Sequence, residues 1–92
     1  MLVHLPTPLR QYAGKQSTVN VSGRTVAEVM RALIAQHPDL KSYIYSDDGN
    51  VRGFVNVYLN DEDIRYLPEK MNAPVEPSDT LTIMPSIAGG AE

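Results

Sequence analysis

The segment from Thr25 to His37 constrains the fold most. Thr25-Val26-Ala27-Glu28 has the spacing of a capping box, in which a hydroxyl and a carboxylate each satisfy an orphan amide at a helix start. Such a cap is worth about 1 kcal/mol. Val26, Val29, Met30, Leu33 and Ile34 then fall at i, i+3, i+4, i+7 and i+8, which makes one apolar stripe. Pro38 predicts the helix end near His37. A helix with a single stripe needs a sheet to cover, and the flanking sequence supplies strands.

Met1, Val3 and Leu5 share one parity, and Pro6 stops that ladder. Leu9 to Tyr12 lead to a Gly14-Lys15 turn, after which Gln16 to Ser22 read as a second strand with Val19 and Val21 inward. Beyond the helix, Asp39 to Tyr45 suggest a further short turn, and Asp47-Asp48-Gly49-Asn50 is turn chemistry. Phe54 to Leu59 alternate, with Val55, Val57 and Leu59 as the core parity. Asn60 to Asp63 predict a tight connection to a short strand at Ile64-Arg65-Tyr66. Pro68 to Asp79 hold three prolines and read as irregular chain. Thr80 to Met84 form the last strand, with Leu81 and Ile83 inward and Pro85 closing it. The order predicts an α+β chain of the β-grasp kind, a mixed sheet of four to five strands packed on one main helix. The expected domain is 1–85, followed by a tail, 86–92.

Composition narrows the function. Ninety-two residues make one domain, burying roughly 60–65% of its unfolded surface. At 42% apolar and 21% charged residues a compact core is expected, but one too small for a deep substrate pocket. A net charge of −3 with scattered basic residues argues against nucleic acid as a partner. The absence of cysteine removes disulfides, thiolate metal sites and thiol nucleophiles, and fits a cytoplasmic protein. Neither a signal peptide nor a membrane span is expected.

The chemistry is concentrated in Ser86-Ile87-Ala88-Gly89-Gly90-Ala91-Glu92. Lacking a Cβ, Gly89 and Gly90 pass through narrow channels and adopt backbone angles barred to other residues. A carboxylate at Gly90 could therefore reach an enzyme's active site while the globular body stays docked outside. A frayed terminus with small residues is the plain alternative.

Taken whole, the sequence resembles the MoaD/ThiS family of ubiquitin-like sulfur carriers. The likeness is carried by Val3-His4-Leu5-Pro6-Thr7-Pro8-Leu9-Arg10, by the capped helix, and by Leu81-Thr82-Ile83-Met84-Pro85-Ser86-Ile87-Ala88-Gly89-Gly90. Within that family, Phe54 to Tyr66 look most like the CysO-type carriers of thiocarboxylate-dependent cysteine biosynthesis. The resemblance implies a covalent relay. An E1-like adenylyltransferase/sulfurtransferase activates the terminal glycine carboxylate, and sulfur displaces AMP to leave a thiocarboxylate. That group attacks an activated serine on a pyridoxal-phosphate-dependent cysteine synthase, and a JAMM-type zinc metallopeptidase releases the cysteine. The chain is thus expected to be a co-substrate rather than an enzyme, with no catalytic residue and no cofactor of its own. It departs from the pattern where Ala91-Glu92 follow Gly90. The amide to Ala91 blocks adenylation, so the Gly90–Ala91 bond is the expected cleavage site.

The sheet face away from the helix is the second candidate. Counter to the core parity, Leu2, His4, Phe54, Asn56, Tyr58 and Met84 should point outward. Leu2, Phe54, Tyr58 and Met84 would form an apolar partner surface beside the tail, with Ile87 as a further contact. Other residues are less telling. His4 and His37 lack companions for a metal site. Asp61, Glu62 and Asp63 read as a solvated turn, Asp47, Asp48 and Asn50 lack the glutamate of a calcium loop, and Tyr43 and Tyr45 read as packing on the sheet edge. Rival functions on the same fold are a molybdopterin synthase small subunit, a protein modifier joined to lysines through Gly90, and a plain binding module.

Overall fold

The computed structural model describes residues 1–53 and 55–85. Five strands form one sheet: β1 (Leu2–His4), β2 (Thr18–Asn20), β3 (Val55–Leu59), β4 (Glu62–Asp63) and β5 (Thr80–Pro85), in the order β2-β1-β5-β3-β4. β1 and β5 are parallel, and the other pairings are antiparallel. This mixed sheet with β5 at its centre is the expected β-grasp arrangement.

The main helix, α2 (Val26–Gln36), begins at Thr25, whose side chain accepts from the Glu28 amide at 3.2 Å. The reciprocal half of the box is shifted by one residue: the Glu28 carboxylate accepts from the Arg24 amide at 3.1 Å. Val26, Val29, Met30 and Leu33 are wholly buried, and Ile34 packs at the edge. They share one core with Val3, Leu5, Val19, Val21, Val55, Val57, Leu81 and Ile83, so the helix stripe and the inward strand parity meet as expected. Among the described residues no helix is long and apolar enough to cross a membrane.

Three departures from the sequence reading have physical causes. Residues Thr7–Arg10 form a short helix, α1, continued as a 3-10 turn over Gln11–Ala13, where only a connection leading to the Gly14-Lys15 turn was expected. Pro8 sits in the first turn, where the missing amide costs nothing. The chain then reverses through Gly14 and Lys15, both left-handed, with φ of 64° and 66°. Second, β4 lies at Glu62–Asp63, and Ile64–Tyr66 is a 3-10 turn rather than a strand. Leu59 pairs Glu62 and Tyr58 pairs Asp63, which leaves Asn60 and Asp61 as a two-residue turn. Asn60 adopts φ 55°, a conformation Asn tolerates better than most residues. Its side-chain oxygen accepts from the Thr80 amide at 3.1 Å, tying this turn to the start of β5. Third, the short turn expected after α2 is present as a 3-10 turn (Pro38–Leu40) and a short helix, α3 (Lys41–Ile44), but it packs elsewhere than expected. This places Tyr43 on Tyr12 rather than on the sheet edge, with ring centroids 4.3 Å apart and the hydroxyls in contact at 2.5 Å. That contact raises the Tyr12 pKa above its usual value.

Candidate functional site

The central strand aims the tail. β5 is held on both sides, by β1 and β3, and Leu81 and Ile83 anchor it in the core. It runs to Pro85, which pairs Val55. Gly90 follows five residues later in the sequence, so it is tethered within about 18 Å of the end of the central strand. Ile87, Gly89, Gly90 and Ala91 lie outside the described residues, as does Phe54.

The outward face carries the remaining predicted residues, and the register separates them. Leu2 pairs Thr80, His4 pairs Thr82, and Met84 comes four positions after Thr80 on β5. Leu2 and Met84 are therefore offset by about 13 Å along the sheet. Between them runs a row of His4, Thr82 and Tyr58. Leu2 is 44% exposed and Met84 48% exposed, but they do not form one patch. The structure brings Tyr58 and Met84 together instead. Tyr58 pairs Thr82 and Asn56 pairs Met84, so the two are diagonal neighbours on β3 and β5. They line a shallow hollow with Asn60, Asp61 and Thr82. Met84 and Asn56 are the described outward residues nearest the start of the tail.

A polar cluster completes this end of the face. Asp63 was expected in a solvated turn, yet it is 9% exposed and ion-paired. Its carboxylate accepts from Arg65 Nη2 at 2.7 Å, from Nε, and from the Arg65 backbone amide at 2.9 Å. Those hydrogen bonds hold the Asp63 pKa below the ordinary carboxylate value against the opposing effect of burial, and they raise that of Arg65. Arg65 Nη2 also donates to Asn56 Oδ1 at 2.7 Å. The guanidinium is thus fixed on the outward face beside Tyr58 and Met84, with its side chain 57% exposed. The sequence signal was available: in a two-residue hairpin Asp63 falls opposite Tyr58, and Arg65 is two residues on, within reach of both. A fixed arginine offers planar donors to a carboxylate or carbonyl on a partner. Among the described residues no group of three potential metal ligands occurs.

Among the described residues, Tyr58, Met84 and Arg65 thus share the outward face near the end of β5. The chain matches the ThiS family over residues 3–90. It belongs to that family. It is 37% identical over 90 residues to the sulfur carrier protein CysO of Mycobacterium tuberculosis, covering 96% of each chain. It is 31% identical over 84 residues to the small archaeal modifier protein 1 of Haloferax volcanii, covering 89% of this chain and 91% of the relative. Among solved structures it is similar to a chain of the Amycolatopsis orientalis BexX/CysO complex, with a TM-score of 0.84, 37% identity, and 97% and 98% of the two chains covered. The crystal structure of Mycobacterium tuberculosis CysO gives a TM-score of 0.83 at 32% identity, over 92% and 97% of the chains. The β-grasp architecture is thereby shown. The chain is a small protein of the sulfur-carrier and ubiquitin-like-modifier type.

Proposed function

We propose that this ThiS-family chain is a sulfur carrier whose working group is the Gly90 carboxylate, freed by hydrolysis of the Gly90–Ala91 bond, and that it serves cysteine formation. The observation that carries this reading is the extent of the family match, which runs to residue 90 and includes Gly89-Gly90 but not Ala91. A JAMM-type metallopeptidase adds water to the Gly90 carbonyl and releases the amine of Ala91. The freed carboxylate attacks the α-phosphorus of ATP on an E1-like enzyme, expelling pyrophosphate. An acyl adenylate has the leaving group a carboxylate lacks, so hydrosulfide displaces AMP and leaves a thiocarboxylate. The thiocarboxylate sulfur then takes the place of the activated hydroxyl group of a serine held by a pyridoxal-phosphate enzyme. An S-to-N shift moves the Gly90 acyl group from sulfur to the cysteine amine. The resulting cysteine, amide-linked to Gly90, is cut free by the same class of peptidase. The β-grasp body docks, and five residues of chain allow Gly90 a reach of at most about 18 Å from the end of β5.

The test is pyrophosphate release from ATP by the E1-like enzyme of the same cell. Chain truncated after Gly90 supports turnover, and chain carrying Ala91-Glu92 does not. Met84→Asp in the truncated chain weakens activation at sub-saturating carrier, because burying a charge at a contact hot spot costs about 2–4 kcal/mol. Equal activity of the truncated and extended chains would refute the Gly90 assignment, and a neutral Met84→Asp would remove the outward face from the docking surface. Kinship to a small archaeal modifier protein supports a second reading, attachment of Gly90 to lysines of other proteins. An isopeptide between Gly90 and a cellular lysine, without a cysteine adduct, would favour it.

A further inference from the structure

On the helix-facing side of β3 the core does not close. A cavity of about 220 Å³ lies between that strand and the two 3-10 turns that follow β4. Its walls are apolar: Val55, Val57 and Ile64 form the floor, and Val51 and Met71 the sides. The rim is basic. Arg52, Arg65 and Lys70 all border it, in a chain whose net charge is −3. Arg65 is neutralised by Asp63, but among the described residues Arg52 and Lys70 form no ion pair. Arg52 spends its Nε on the Ser42 carbonyl at 2.9 Å, which fixes the stem of its side chain. Lys70 is held at φ 51°, an unfavourable backbone conformation for lysine that the local fold maintains.

Size and charge select the occupant. Small-molecule and cofactor sites run to about 300–1,000 Å³, larger than this cavity. It suits one aliphatic side chain, and the unpaired cations at its mouth suit carboxylates flanking that side chain. We propose that this cavity is a docking site for an acidic segment of a partner protein that inserts one Leu- or Met-sized side chain between Arg52 and Lys70. The cavity lies on the face of β3 opposite Tyr58 and Met84, with Arg65 at the edge that the two faces share. It does not depend on the sulfur-transfer reading.

The test is a titration of the isotope-labelled full chain, followed by amide NMR, with the blocked peptide Glu-Glu-Leu-Asp-Glu. Saturable shifts at Gly53, Ile64 and Met71 are expected, with those at Leu2 and His4 unchanged. Peptides with Ser in place of Leu, or Lys in place of the acids, bind about tenfold or more weakly. The double variant Arg52→Glu/Lys70→Glu loses the response. Unchanged thermal unfolding of the double variant confirms that charge reversal, not misfolding, is the cause. No shifts at millimolar peptide would overturn the proposal, as would equal binding of the Ser or Lys peptides or shifts confined to the outward face. Octanoate binding as tightly as the peptide would also overturn it, by making the cavity a small-carboxylate site.

Discussion

Among the described residues, Asp63 is the charged side chain that folding buries. Its carboxylate is nearly buried and held by Arg65, with its pKa depressed by those hydrogen bonds. A carboxyl whose folded pKa is depressed adds stability above its unfolded value of about 3.9, and that stability is lost as pH falls through the folded pKa. The exposed Arg65 end of the pair is screened by water, so the contribution at neutral pH is modest. Asp63→Asn keeps an acceptor for the Arg65 amide but cannot titrate. The parent should be the more stable of the two at neutral pH, with the difference shrinking below about pH 4 in urea unfolding experiments. A constant difference across that range would mean that the pair contributes packing but no charge-dependent stability.

Among the elements, those with long periodic patterns were legible and the short ones were not. The α2 stripe and the inward parities of β1, β2, β3 and β5 were set by 3.6- and 2-residue repeats that packing reinforces. α1 is only four residues long, too short for a helical period to show. The fourth strand was expected two residues too late, because only Asn60 and Asp61 of the polar run form the turn. The polar cluster of Asp63, Arg65 and Asn56 was hidden by that shift. Gly23, between β2 and α2, was also missed. A Cβ there would lie 2.8 Å from the Val29 amide nitrogen and 2.9 Å from Val29 Cγ2, so only glycine lets the connection cross the first turn of α2. Backbone atoms in a hydrogen-bonded helix yield little, and overpacking of this kind costs about 1–3 kcal/mol. Gly23→Ala should lower the urea midpoint accordingly without changing the slope. An unchanged midpoint would show that the junction shifts freely.

For the whole molecule, the division of labour follows from the sheet. A rigid β-grasp body presents an outward face on which Tyr58, Met84 and Arg65 cluster near the end of β5, and the Gly-Gly sequence begins four residues beyond that strand. The face was legible as a parity, but its division into a Leu2 end and a Met84 end needed the strand register. The central claim is that Gly90, not Glu92, is the chemically working end. Intact-mass analysis of the protein purified from its native cell tests this most directly. The account predicts a form that ends at Gly90, part of it heavier by the exchange of one carboxylate oxygen for sulfur. Finding only chains that retain Ala91 on Gly90 would contradict it.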